Sequence, residues 1–104
     1  MKKKKQEIRA AFRKSVFERD KYRCQLCGEQ ATPEDVEEKM DAHHVTEREE
    51  MPFGGYVKEN GITLCKDLCH YSVEMTGTPL PRELYKLIGS SEELARQKSE
   101  ETLG

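Results

Sequence analysis

Four cysteines set as two close pairs, Cys24-x2-Cys27 and Cys65-x3-Cys69, constrain this chain more than any other feature. Two residues between the first two sulfurs let a tight turn bring both thiolates onto one tetrahedral ion, with Gly28 relieving the backbone just after. The second pair can complete the set from a turn and the first turn of a following helix, so the 37 residues between the pairs form the body of the domain. Two disulfides are the alternative for an exported protein. Met1 to Lys5 leads into Gln6-Glu7 rather than an apolar stretch, so no export signal is expected and the reducing cytoplasm is the expected setting. A redox CxxC is the other alternative, but no thioredoxin-like βαβ pattern surrounds it and a second pair is present. The expectation is structural Zn2+ on Cys24, Cys27, Cys65 and Cys69, because a closed tetrathiolate site leaves no open coordination position for chemistry.

Composition gives that ion a task. Of 104 residues, 35% are apolar and 37% charged, well short of the roughly 45–50% apolar content of an ordinary soluble domain. A single lean core is expected, with metal supplying the missing stability. Apolar runs are too short for a transmembrane helix, so no membrane partner is expected. The net charge of -2 hides a gradient. Residues 1–23 carry ten Lys/Arg against three acids, whereas residues 24–51 carry two against nine. A polyanion partner reads local charge, so this basic start can serve one, although the acidic middle argues against tight nonspecific nucleic-acid binding. Lys2 to Lys5 reads as a solvated, disordered start or as a phosphate-contacting arm.

The periodicity of Ile8, Ala11, Phe12, Val16 and Phe17 predicts a helix over Glu7 to Lys21. Tyr22 to Gly28 reads as an extended segment and tight turn. Thr32-Pro33-Glu34-Asp35 opens a short helix or acidic loop over Ala31 to Met40. Asp41 to Thr46 is a strand candidate, Glu47 to Glu59 a loop broken by Pro52 and Gly54-Gly55, and Ile62 to Leu64 a second strand after Asn60-Gly61. Lys66 to Met75 is predicted helical, as is Pro81 to Ile88 before Gly89, and Ser90-Ser91-Glu92-Glu93 reads as a capping box for a last polar helix. The domain reading is a disordered start over 1–5, a core domain with its N-terminal helix over 6–78, and a helical extension over 79–104.

All three histidines, His43, His44 and His70, lie between or beside the cysteine pairs. Asp41-Ala42-His43-His44 on a strand, Asn60-Gly61-Ile62-Thr63-Leu64-Cys65 and then Cys69-His70 on a helix give the order strand, long loop, strand, helix. Over Cys24 to Glu74, about half of the chain, this order resembles the HNH endonuclease family. The resemblance implies an α+β fold, with a small zinc-stabilised ββα-metal (treble-clef-like) core between an N-terminal helix and C-terminal helices. It implies His43 and His70 as ligands of a catalytic divalent cation, His44 as general base, and Asn60 as the residue that ties the loop to the first strand and holds His44. Asn60 also reads as a plain Asn-Gly turn. Strand alternation puts Asp41 on the face of His43, as a ligand or as an acceptor for a histidine ring. The family's second cysteine pair is often spaced x2; here Lys66-Asp67-Leu68 makes it x3, so the turn into the helix must absorb one residue.

The expected function is hydrolysis of DNA phosphodiester bonds by a metal-dependent endonuclease, leaving 5′-phosphate and 3′-hydroxyl ends. Two imidazole ligands suit Mn2+, Ni2+, Co2+ or Zn2+ at least as well as Mg2+. DNA is the expected partner, contacted by Arg9, Arg13, Lys14, Arg19 or Arg23, and a chain this short suggests a protein partner supplying specificity. With an unshifted His44, activity is expected to fall below about pH 6. The alternative is a non-catalytic zinc module that binds nucleic acid or protein through its basic first helix.

Overall fold

Phe12, Val16 and Phe17 recur at helical spacing, and burying them fixes the first helix, α1, over Lys5–Arg19. Ile8 is only half-buried and Ala11 is exposed, so the apolar stripe is shorter than the periodicity predicts. The computed structural model describes residues 4–104. The start expected to be disordered therefore lies outside the described residues at 1–3, and Lys5 is already helical. Lys21 and Tyr22, with φ of 56° and 62°, turn the chain sharply after α1. The chain then doubles back through a bridge between Arg23 and Gln30. Gly28, at φ 83°, closes the turn by donating its N–H to Cys24 O at 3.0 Å.

The Thr32-Pro33 signal does not start a long helix. Thr32 N–H donates to Asp35 Oδ1 at 2.7 Å and Asp35 N–H to Thr32 Oγ1 at 3.3 Å, a side-chain-locked turn that competes with helical bonding. Only Val36–Lys39, helix α2, follows before the first strand.

Strand β1 (Met40–His44) pairs antiparallel with β2 (Gly61–Cys65), in a register that sets Met40 opposite Cys65 and His44 opposite Gly61. Every residue of β2 is buried. Helix α1 lies directly on it: a Cβ on Gly61 would stand 2.5 Å from Val16 Cγ2 and 2.8 Å from Phe12 Cε1, so only glycine lets the helix approach. Arg19 and Asp20 fasten the same contact. The Arg19 guanidinium grips Asp20 and donates to Gly61 O at 2.6 Å, while Thr63 N–H donates to Asp20 Oδ2 at 2.9 Å. The connection between the strands holds single 3-10 turns at Arg48–Glu50, Pro52–Gly54 and Lys58–Asn60.

After β2 the chain makes a π-helical turn, Lys66–His70, before helix α3 (Tyr71–Thr76). A π turn accommodates one residue more than an α turn, so it absorbs the additional residue of Cys65-x3-Cys69. Helix α4 (Pro81–Leu87) and helix α5 (Glu92–Leu103) complete the fold. Ser91, not Ser90, caps α5, accepting from Leu94 N–H at 3.1 Å. The predicted capping box is replaced because Ser90 Oγ donates to Glu59 O at 2.8 Å. Nor is α5 polar throughout, since Ala95 and Ser99 are fully buried. Leu84, Tyr85 and Ala95 share one core with Met40, Ile62, Leu64 and Val73. The result is a small α+β fold with a two-stranded sheet. No helix among the described residues is long and apolar enough to cross a membrane.

Candidate functional site

The turn at Cys24–Gly28 and the π turn after β2 bring Cys24, Cys27, Cys65 and Cys69 together, with all four sulfurs within 4.8 Å of one another. None is in a disulfide. Cys27 Sγ and Cys65 Sγ stand 3.7 Å apart, close to the edge of about 3.8 Å expected for a tetrahedron with zinc–sulfur bonds of about 2.3 Å. Backbone N–H groups stabilise the sulfurs, Cys27 N–H on Cys24 at 3.5 Å and Cys69 N–H on Cys65 at 3.3 Å. Burial pushes the Cys24 thiol up, but amides of Cys27, Cys65 and Leu26 outweigh it and bring it down to about 7. Burial and the neighbouring sulfurs push Cys69 up. This donor set fits a metal such as zinc, which would replace the protons of four crowded thiols with one cation.

A second cluster forms on the outer side of the same strand and helix. His43, His70 and Glu74 offer ligand atoms that lie within 4.8 Å of one another. His43 comes from β1, His70 from the end of the π turn, and Glu74 from α3 one helical turn further on. Asp41, two residues before His43 and on its face, reaches His70 Nδ1 through Oδ2 at 2.7 Å. The ring thus stands between two carboxylates, its Nε2 3.1 Å from Glu74 Oε1, and when Nδ1 carries the proton donated to Asp41, Nε2 is the atom available as a ligand. The imidazole–imidazole–carboxylate set fits a divalent cation, and Asp41 stands where a carboxylate orients a ligating ring. Burial, then the neighbouring His70, hold His43 down at about 4, so its ring is neutral and one ring nitrogen keeps a lone pair for a ligand bond.

His44 points the other way. Its ring stacks on Phe12 with centroids 4.5 Å apart and meets the edge of Tyr56 at 4.7 Å. It still lines the open groove, about 920 Å³, that His43, His70, Glu74 and Arg48 also line. Its Nε2 is buried with no hydrogen-bond partner among the described residues. Burial first, then Arg48 and His43, push His44 down to about 4 rather than leaving it near its ordinary value. It is thus neutral, and able to accept a proton, through the range in which the unshifted ring assumed above would titrate.

Asn60 is fully buried and uses its whole amide. Its Oδ1 accepts from Thr46 N–H at 3.0 Å and from Tyr85 Oη at 2.7 Å, and its Nδ2 donates to Thr46 O at 3.1 Å and Gly55 O at 3.2 Å. Together with Val45 N–H on Asn60 O at 2.9 Å, these bonds hold the two residues after His44 against the far end of the loop. Asn60 is therefore more than a turn residue. Three participants escaped the sequence reading. Glu74 was legible as the residue four beyond His70 on a helix; Arg48 and Tyr85 carried no local signal. No family model, curated protein or solved structure matches this chain.

Proposed function

We propose that this protein is a metal-dependent DNA endonuclease of the HNH type. The observation that carries the reading is that one groove is lined both by His43, His70 and Glu74, a set suited to a divalent cation, and by His44, an imidazole that burial keeps neutral. The cysteine cluster behind them holds the turn that presents His70, which gives structural zinc a reason to be there. Phosphodiester hydrolysis needs a base for water and a counter-charge at the phosphate. A cation held by His43, His70 and Glu74 supplies that charge when bound.

The remaining work falls to the chain. His44 accepts a proton from the attacking water, and the phenyl ring of Phe12 beneath it fixes the plane of the imidazole. Asp41 accepts from His70 Nδ1–H and so selects the tautomer of that ring. Asn60 and Tyr85 fix Val45 and Thr46, which sets the backbone that carries His44. Arg48 stands on the rim, where a guanidinium can meet a phosphate oxygen. In-line attack with departure of the 3′ oxygen leaves 5′-phosphate and 3′-hydroxyl ends. Incubating the protein with supercoiled plasmid tests the reading. Nicked or linear product is expected with added Mn2+ or Ni2+ and not without a cation; no product with any of Mn2+, Ni2+, Co2+, Zn2+ or Mg2+ would leave a non-catalytic zinc module as the better description.

A further inference from the structure

Phe53 combines two costs. It holds φ 55°, a left-handed conformation unfavourable for a bulky side chain, and leaves its ring 62% exposed. The ring rests against Gly104 at the end of α5, where a Cβ would stand 3.0 Å from Cε2, yet most of it stays open. The ring stands at a second groove, of about 1220 Å³, between the first turns of α1 and the end of α5. Phe12 and Tyr56 form further aromatic wall there. Around them converge Lys5, Arg9, Arg48, Lys58 and Lys98, five cations against the side chains of Glu49 and Glu59, on a chain whose net charge is -2. They come from α1, the loop and α5, segments far apart in sequence, so this concentration is made by the fold. Within the groove Arg48 donates to the Tyr56 hydroxyl at 3.1 Å and Lys98 meets Glu101 at 3.4 Å, while outside it Arg13 pairs with Glu37 at 2.7 Å, Arg19 is spent on Asp20, and Arg23 donates to Gln30 at 3.1 Å. Three of the five cations expected to meet DNA are thus engaged within the protein.

We propose that this groove binds a single-stranded stretch of polynucleotide, with Phe53 as the platform on which a base stacks and Arg9, Arg48, Lys58 and Lys98 following the phosphates. Charge complementarity selects a polyanion, and an exposed ring among cations selects one that carries planar bases over an acidic peptide. Arg48 lines both this groove and the one holding His43, His44 and His70, so a strand seated on Phe53 leads towards the candidate cleavage site. In that respect the inference deepens the nuclease reading and rests on it for the purpose of the strand, but binding is measured apart from cleavage.

The test is fluorescence anisotropy of the full chain, without added divalent cation, on a labelled oligo-dT of about 12 nucleotides, a length within the usual range for single-strand sites. Phe53→Ala is expected to weaken binding about tenfold, the loss of one stacked base. Phe53→Leu should match it and Phe53→Tyr should retain affinity, which separates stacking from a folding defect. Arg9→Gln with Lys58→Gln should weaken binding and lower the slope of log K against log salt by about 1.4, whereas Lys86→Gln on α4, outside the groove, should not. Equal affinity in all Phe53 variants, preference for duplex over oligo-dT, or equal binding of a glutamate peptide of the same charge would overturn the proposal. Plasmid cleavage is scored separately. Binding that depends on Phe53 without cleavage sinks only the nuclease reading, and cleavage with unchanged oligonucleotide binding in the Phe53 variants sinks only this one.

Discussion

His44 is the residue at which stability and chemistry separate most clearly. A buried ring nitrogen without a partner costs about 1–3 kcal/mol, and nothing in the packing around Phe12 and Tyr56 needs it to be nitrogen. His44→Phe keeps the stack and removes the orphan, so the variant is expected to melt at or above the wild-type temperature and to lose plasmid cleavage. A clear fall in melting temperature would show that the imidazole is there for folding. The histidines, Asp41 and the cysteines were legible in the sequence because metal ligands are rare residue types at fixed spacing. The position of His44 on the opposite face from His43 follows from strand alternation, but its partners Phe12 and Tyr56 do not, since they come from another helix and a loop. The depression of its pKa depends on that burial and so was hidden with it.

At the scale of elements, the x3 spacing of the second cysteine pair shows how a sequence anomaly becomes a structural device. The π turn keeps Cys69 on the sulfur cluster and His70 beside His43, two demands that pull neighbouring residues to different sides. The spacing announced that a residue had to be absorbed; the means depended on Cys65, whose sulfur accepts Cys69 N–H and caps the turn. The coupling of α4 to the loop was not legible, because Tyr85 and Asn60 are 25 residues apart and neither is unusual alone. Tyr85→Phe removes one hydrogen bond to Asn60 and the contact of 2.7 Å between Tyr85 Oη and Thr46 Oγ1. A stability loss of about 1–2 kcal/mol by urea unfolding is expected, with a several-fold drop in kcat at unchanged cation affinity. Gly61→Ala, which forces α1 off β2, should cost about 1–3 kcal/mol or more in the same assay, and an effect within error would contradict the close approach of Phe12 and Val16.

At the scale of the whole molecule the cysteine cluster is built into the apolar core. The shared core is small, and Cys24, Cys65 and Cys69 belong to it, so a metal held there would stabilise the same unit as the apolar residues. Elemental analysis is expected to give one zinc per chain, and Cys24→Ser or Cys69→Ser to yield a chain that melts without a cooperative transition. Folded protein without zinc would contradict this. The central claim, that a cation site and a separate imidazole base serve one groove, is tested most directly by measuring Mn2+ affinity and plasmid cleavage on the same preparations of four proteins. His44→Ala is expected to bind Mn2+ like the wild type and to cleave nothing, whereas His70→Ala and Glu74→Ala should lose Mn2+ affinity by about 10–100-fold or more and cleavage with it. Undiminished cleavage by His44→Ala, or Mn2+ affinity unaffected by His70→Ala and Glu74→Ala, would contradict the account.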